Sequence, residues 1–275
     1  MAKPALARLH CFGVVLVAYI ECAERQMPKE TPDLQCLSWN IHRGRGEDGV
    51  IDARRTVDVL HDEVVGSQTD ILMLQEADEE RPPHRGFLDI DRIEERTGLV
   101  YAHSDKQTRW GEKSHGFLGI ICFVRPSIEI QSVILLDMPG HCHRGAVILD
   151  VARHGQTLRL ISTHLSLSQP LRIVQMRTLG QRLFRLTPRP TVLCGDLNEW
   201  RPWGGLAFSR QVLGTKLSGP APATFPVRRP FLPLDRFLAG NGARVEHAAA
   251  LDGPGIRMAS DHRPLAARIV VDGSG

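Results

Sequence analysis

Lysine is scarce in this chain. Of 34 basic residues, 5 are lysine and 29 are arginine. Arginine suits two-pronged contacts with phosphate or carboxylate, although a coding bias toward arginine explains the same count more simply. Charge of one sign is also lacking. A formal net charge of +3 is too small to argue by itself for nucleic acid or an acidic membrane surface. None of the six cysteines, at positions 11, 22, 36, 122, 142 and 194, forms a Cys-x-x-Cys pair, and their spacing in so long a chain argues against a disulfide framework. Cys36, Cys122 and Cys194 sit in apolar runs and read as small buried hydrophobes. His141-Cys142-His143 looks like a metal tract, but three consecutive side chains seldom converge on one ion and no second cluster matches it. The apolar run Cys11 to Ile20 falls short of the ~20 residues a membrane helix needs. Gly44-Arg45-Gly46 is set aside as too short a run for a dinucleotide fingerprint.

What is present fits an ordinary globular protein. The 275 residues, with 42% hydrophobic and 24% charged, allow one large α/β domain or two small ones. Residues 1–33 read as an N-terminal extension. Lys3 and Arg8 precede the apolar run in the manner of a signal peptide, but Tyr19, Ile20 and Glu21 interrupt any cleavage pattern. A cytoplasmic location is expected, or an exported or membrane-associated one if residues 1–26 act as a signal or anchor. Met27-Pro28 to Pro32-Asp33 reads as a linker. Residues 34–272 form the folded domain, with no repeat and no internal boundary. No segment marks an obligate protein partner, and a monomer is expected.

Within that domain the pattern alternates between strands and helices. Strands are predicted at Leu34–Ile41, Ile71–Leu74, Leu99–His103, Phe117–Val124, Ile128–Leu136, Ala146–Val151, Leu158–Thr163, Val192–Cys194, Leu234–Leu238 and Leu265–Val270. Asp52 is placed to cap a helix running to about Val65, and a second helix is predicted around Phe87–Arg96. A third has Pro170 in its first turn and an apolar face of Leu171, Val174, Leu179, Leu183 and Leu186. Trp200–Gly205 and the Pro- and Arg-rich Gly219–Pro233 read as loops.

Polar groups gather at the ends of these strands. They are Asn40, Glu76, His164, Asp196, Asn198, Asp235, Asp261 and His262. Ligands in open α/β sheets bind beyond the carboxyl ends of strands. Carboxylates and amides are hard oxygen ligands that suit Mg²⁺ or Mn²⁺ better than zinc. The histidines can donate to phosphate oxygens or move protons, and Asp235 can orient His262. No serine or cysteine nucleophile is obvious, so metal-activated water is the simpler attacking group. Taken singly, each residue has a plain alternative: Asn40 as a turn residue, Glu76 as a helix cap, His164 as a satisfied core histidine, Asp261 as a turn cap. Their recurrence at strand ends is what points to a site.

The stretches Leu37-Ser-Trp-Asn-Ile41, Leu74-Gln-Glu76, Ser162-Thr-His-Leu165, Gly195-Asp-Leu-Asn198, Leu234-Asp-Arg-Phe237 and Ser260-Asp-His262 resemble, in this order, the motifs of the endonuclease/exonuclease/phosphatase superfamily. That superfamily includes DNase I, exonuclease III, the apurinic endonucleases, the inositol polyphosphate 5-phosphatases and the neutral sphingomyelinases. The resemblance implies a DNase I-like four-layer α/β sandwich, two packed mixed β-sheets flanked by helices. It implies a metal site at Glu76, Asn40 and Asp261, with Glu76 the principal Mg²⁺ ligand. Asp196 would position or deprotonate the attacking water, Asn198 would hold phosphate and water in line, and His262, oriented by Asp235, would contact the scissile phosphate. His164 matches the phosphate-binding histidine, and Arg144 the arginine before the next strand. One departure stands out: Phe117, in His115-Gly-Phe-Leu118, occupies a position where the family often has asparagine.

The expected activity is therefore divalent-metal-dependent hydrolysis of a phosphoric ester, a phosphodiester first, with Mg²⁺ or Mn²⁺ as cofactor. The partner would be a phosphoester substrate: nucleic acid, a phospholipid head group or a small molecule. A phosphomonoesterase of phosphoinositide or small-phosphoester type is the alternative. A catalytically inactive binding module on the same fold is the rival from another class.

Overall fold

Apolar residues alternate across β1 (Leu34–Asn40), but both of its faces are apolar. Leu34 and Cys36 lie on one, Leu37 and Trp39 on the other. The same holds for β2 (Ile71–Gln75), with Ile71 and Met73 opposite Leu72 and Leu74, and for β8 (Thr191–Asp196), with Val192 and Cys194 opposite Leu193. A strand apolar on both faces needs a covering layer on each side. The first-named faces meet in one core between two sheets, where Cys194 Sγ lies 3.2 Å from Met73 Sδ. The computed structural model describes residues 33–140 and 144–272. The signal-like run, the linker up to Pro32 and the His141-Cys142-His143 tract lie outside the described residues.

The first sheet adds β3 (Val100–Tyr101), β4 (Ile121–Val124), β10 (Ala243–Ala250) and β11 (Leu265–Val271), in the order β10-β11-β1-β2-β4-β3. The second runs β5 (Glu129–Met138), β6 (Arg144–Arg153), β7 (Gln156–His164), β8 and β9 (Asp235–Gly240). Both are mixed: β1–β2 and β7–β8 are parallel, and the remaining pairs are antiparallel. Helices α1 (Ala53–Val59), α2 (Ile90–Thr97) and α5 (Pro254–Ala259) pack on the outer face of the first sheet through Val57, Ile93 and Ile256. Helices α3 (Gln169–Phe184) and α4 (Arg210–Leu213) cover the second through Met176, Leu179 and Val212. This is the expected four-layer α/β sandwich.

Asp52 caps α1 as expected, accepting from the amides of Arg54 (2.9 Å) and Arg55 (3.1 Å). Four readings of the sequence need correction. The glycines after β1 continue to Gly49, so Gly44–Gly49 does spell Gly-x-Gly-x-x-Gly. It forms a closed turn, with Gly49 N donating to Gly46 O (2.9 Å), ahead of a helix that starts only at Ala53, and β1 has the antiparallel neighbour β11. Helix α3 does not bury Val174, which is 46% exposed, but Arg172 and Gln175 beside Met176 and Leu179. Those two polar side chains are buried because they satisfy backbone: Gln175 accepts from Ser166 N and donates to Pro139 O, both at 3.0 Å. Gly219–Pro233 is not purely a surface loop, since Thr224 and Val227 are fully buried. Strand β10 and helix α5 had no sequence signal assigned to them.

Candidate functional site

Register sets the site. Parallel β1 and β2 end together, Asn40 opposite Gln75, and Glu76 follows at once. Parallel β7 and β8 end with His164 opposite Asp196, and antiparallel β9 begins with Asp235 opposite Asp196. His262 sits just before β11, which runs antiparallel to β1. The two sheets therefore present their polar residues along one shared edge. Beneath that edge Gln75 Nε2 bridges the sheets, donating to Ser38 Oγ (3.2 Å) and Ser162 Oγ (3.3 Å).

Sharp backbone turns aim these side chains. Glu76 (φ 55°) and Asn198 (φ 50°) adopt left-handed backbone, which costs a non-glycine residue about 1–2 kcal/mol. Gly195 (φ 125°) is obligatory for another reason: a Cβ there would lie 1.9 Å from the Thr163 carbonyl oxygen.

On the second sheet, charge and burial separate two histidines. Asp196 is buried. Its Oδ1 accepts from Asn198 N (3.0 Å), and its Oδ2 accepts from Asn40 Nδ2 (3.0 Å) and lies 3.3 Å from His164 Nε2 and 3.7 Å from His262 Nε2. Burial, helped by the charge of Asp235 and opposed by His262 and the Asn40 hydrogen bond, pushes its carboxyl up to about 6. His164 goes the other way: burial and then Arg144 hold it well below the ordinary imidazole value, so it is neutral near pH 7. Arg144 Nη1 lies 3.0 Å from His164 Nδ1 and can only donate, which leaves the proton on Nε2 facing Asp196. Burial also opposes charge on His262, but Asp235 and Asp196 outweigh it and lift the ring to about 10. Asp235 Oδ2 accepts from His262 Nδ1 (2.8 Å) and Thr224 Oγ1 (2.6 Å).

The first-sheet side is arranged differently. Arg43 Nη1 lies 2.5 Å from Glu76 Oε2, and His42 Nδ1 lies 3.4 Å from Asp261 Oδ1. Asn40 Nδ2 donates to Glu76 Oε1 (3.3 Å) as well as to Asp196, while its Oδ1 accepts from His42 N (3.0 Å). Beyond those ion pairs, Glu76 Oε2 and Asp261 Oδ1 accept no hydrogen bond, and on the other side Asp235 Oδ1 accepts none either. Buried hard oxygens of this kind fit a divalent cation. Asp196, Asp235 and His262 also offer donor atoms all within 4.8 Å of one another. With no ion bound, His262 is the protonated member of that trio, which suits proton handling.

Of the sequence-predicted residues, Asn40, Glu76, His164, Arg144, Asp196, Asp235 and His262 are linked by these contacts. Asn198 joins through its backbone, while its Nδ2 donates to Leu165 O (2.9 Å). Asp261 is brought to His42 rather than to Glu76. Phe117 is buried in the core, so no side-chain hydrogen bond replaces the asparagine common there. Sequence reasoning gave no site role to Thr224, which holds Asp235, or to Phe225, whose ring centroid lies 4.9 Å from that of His262. It named Ser260 in the Ser260-Asp-His262 motif without a role; the structure shows its Oγ donating to Asn40 O (2.7 Å) and accepting from His262 N (3.1 Å). A hydroxyl two residues before a site histidine was the available signal for Ser260; the inward fold of the loop that brings in Thr224 and Phe225 had none.

The profile of the Endonuclease/Exonuclease/phosphatase family matches residues 37–262, from just inside β1 to His262. Among curated proteins the chain is similar to Uncharacterized protein YbhP of Escherichia coli strain K12, 27% identical over 263 residues, covering 88% of this chain and 99% of that one. Among solved structures it is similar to D. rerio TDP2 complexed with single strand DNA product (TM-score 0.64, 15% identity, 86% of this chain and 98% of that one). It is also similar to the human Nocturnin catalytic domain with bound sulfate anion (TM-score 0.63, 20% identity, 87% and 94%). At these identities the structures show a shared fold. With the strand-end residues and the matched span together, the chain belongs to the endonuclease/exonuclease/phosphatase family, whose members are typically metal-dependent phosphoester hydrolases.

Proposed function

We propose that this protein hydrolyses phosphodiesters, using water as the nucleophile and Mg²⁺ or Mn²⁺ held by Glu76 with Asp261 and Asn40 alongside. The observation that carries the reading is the Asp196 carboxylate between two histidines of opposite charge state, His164 at 3.3 Å and His262 at 3.7 Å. With its carboxyl near 6, Asp196 is ionised at neutral pH and basic enough to take a proton from water. Charged His262, fixed by Asp235 at 2.8 Å, donates toward a phosphoryl oxygen. Arg144, held beside His164 Nδ1, offers further donors to the phosphate, and Asn198, with its Nδ2 on Leu165 O, keeps its Oδ1 for the water. A bound divalent ion would offset the negative charge that builds on phosphorus oxygens.

A diester is favoured over a phosphoinositide-like monoester because spare cations are few. Arg201, the basic residue near Asn198 in sequence, is committed to buried Glu199 at 2.7 and 2.8 Å. A module that had lost its chemistry would also have no use for a histidine held charged against two buried carboxylates. The test is hydrolysis of bis-p-nitrophenyl phosphate beside p-nitrophenyl phosphate, with Mg²⁺, Mn²⁺ or EDTA. The expected outcome is diester cleavage that disappears in EDTA and returns with either ion. Cleavage that survives the chelator, or of the monoester alone, contradicts the proposal.

A further inference from the structure

Large apolar side chains crowd the solvent-facing rim of this site. Leu167 (80% exposed), Trp203 (76%) and Phe231 (69%) stand out, with Trp200 and Leu206 more than half exposed. Leu167 lies on the loop leaving β7, Trp200 to Leu206 on the loop leaving β8, and Phe231 on the loop entering β9. Since His164, Asp196 and Asp235 are register neighbours, all three loops emerge from the same end of the same sheet.

Two buried arginines lock these loops together. Arg236, 1% exposed, donates to the carbonyls of Glu199 (2.9 Å), Arg201 (2.8 Å), Pro202 (3.1 Å) and Pro233 (2.7 Å), which ties the tryptophan loop to the Phe231 loop. Arg172 donates to the carbonyls of Ser166 (3.0 Å) and Leu167 (2.6 Å) and to Glu199 Oε2 (3.4 Å), which ties in the third. Isolated exposed apolar residues need no explanation, but a set of them held rigidly around an active site marks an interaction surface.

The charge of the rim names the partner. Between Leu165 and Ser168, Leu197 and Arg210, and Gly219 and Leu234, the only acidic residue is the fully buried Glu199. The exposed charge on those loops is arginine: Arg228, which reaches across to Glu47 of the β1–α1 loop, and Arg229. Aromatic and aliphatic side chains set among arginines match the boundary of an anionic bilayer, where the apolar groups enter the acyl region and the guanidinium groups meet phosphate. Single-stranded nucleic acid would use the tryptophans as stacking platforms, but it gives Leu167 and Leu206 nothing to do.

We infer that this rim docks the protein on an anionic phospholipid surface, so that the diester it cleaves is a phospholipid head group. The inference rests on the phosphodiesterase reading for its chemistry and on the rim alone for its docking. The test uses the full chain, so that every variant carries the same N-terminal segment. Binding to phosphatidylglycerol vesicles is measured by co-sedimentation for wild type, Trp203→Ser/Phe231→Ser and Leu167→Ser/Leu206→Ser, with phosphatidylcholine vesicles and oligo(dT) as comparators. Unfolding midpoints confirm that these exposed positions leave the fold intact. The expected result is binding to phosphatidylglycerol over phosphatidylcholine, weakened about tenfold or more in both variants. Vesicle binding unchanged in both variants overturns the inference. So does loss of oligo(dT) binding in the tryptophan variant with vesicle binding retained, which would make the rim a nucleic-acid platform. Hydrolysis of a soluble diester is followed on the same samples; its absence in a wild type that still binds vesicles through the rim counts against the chemistry and not the docking.

Discussion

The two sheets bring carboxylates to one cleft by opposite means. On the first-sheet side, the Glu76 side chain is 12% exposed and that of Asp261 38%; Glu76 faces the Arg43 guanidinium and Asp261 the His42 ring, both from the β1–α1 loop. On the second-sheet side, the Asp196 and Asp235 side chains are 3% and 0% exposed, set in hydrogen bonds that come from the strands and the inward-folded loop. A carboxylate paired with a partly solvated side chain can exchange that partner for an ion. A carboxylate locked among buried donors instead has its proton affinity set by the fold. On the proposed reading, one half of the cleft holds the ion and the other handles protons.

Removing the proton-handling half has the largest effect. Asp196→Asn is expected to lower kcat by about a thousandfold or more while leaving the unfolding midpoint and metal affinity close to wild type. Next is Asp235→Asn, which removes the largest charge favouring protonated His262. Its kcat is expected to drop by about a hundredfold or more, and by more than KM changes. The wild-type rate should rise with pH through about 6, as Asp196 ionises, and fall toward about 10, as His262 loses its proton. In Asp235→Asn the alkaline limb should move down toward the ordinary histidine value of 6.5. Stability follows the same sign. The His262 value is raised from 6.5 to about 10, so its contribution is complete below pH 6.5 and drains away as pH rises through about 10. Denaturant titrations across that window should show the loss in wild type and a flatter curve in Asp235→Asn. The smallest effect belongs to Arg43→Ala. An ion pair at a partly exposed site is worth about 1 kcal/mol at most, so removing this competitor should tighten metal binding only a few-fold.

The contrast also explains what could be read from the chain. The second-sheet residues were legible because they flank strands with continuous apolar runs: Val192 to Cys194 announces Asp196, and Leu158 to Thr163 announces His164. Glu76 was legible after Ile71 to Leu74 for the same reason. Strand β10 was not, since Ala243–Ala250 is half alanine, is broken by Arg244, Glu246 and His247, and lies at a sheet edge. Nor was the burial of Arg172 and Gln175, because helical periodicity counts apolar residues and these two are buried to satisfy loop carbonyls and amides. Thr224 escaped because nothing local marks a Pro-rich loop that turns inward; only its contact with Asp235 gives it a role.

The division of labour across the cleft is tested most directly by titrating Mn²⁺ into wild type, Glu76→Gln and Asp196→Asn and reading bound ion by electron paramagnetic resonance. The account predicts that Glu76→Gln abolishes tight Mn²⁺ binding while Asp196→Asn, though nearly inactive, binds the ion almost as wild type does. Loss of the ion in Asp196→Asn with retention in Glu76→Gln would place the metal among Asp196, Asp235 and His262 and contradict the assignment of protons to that side.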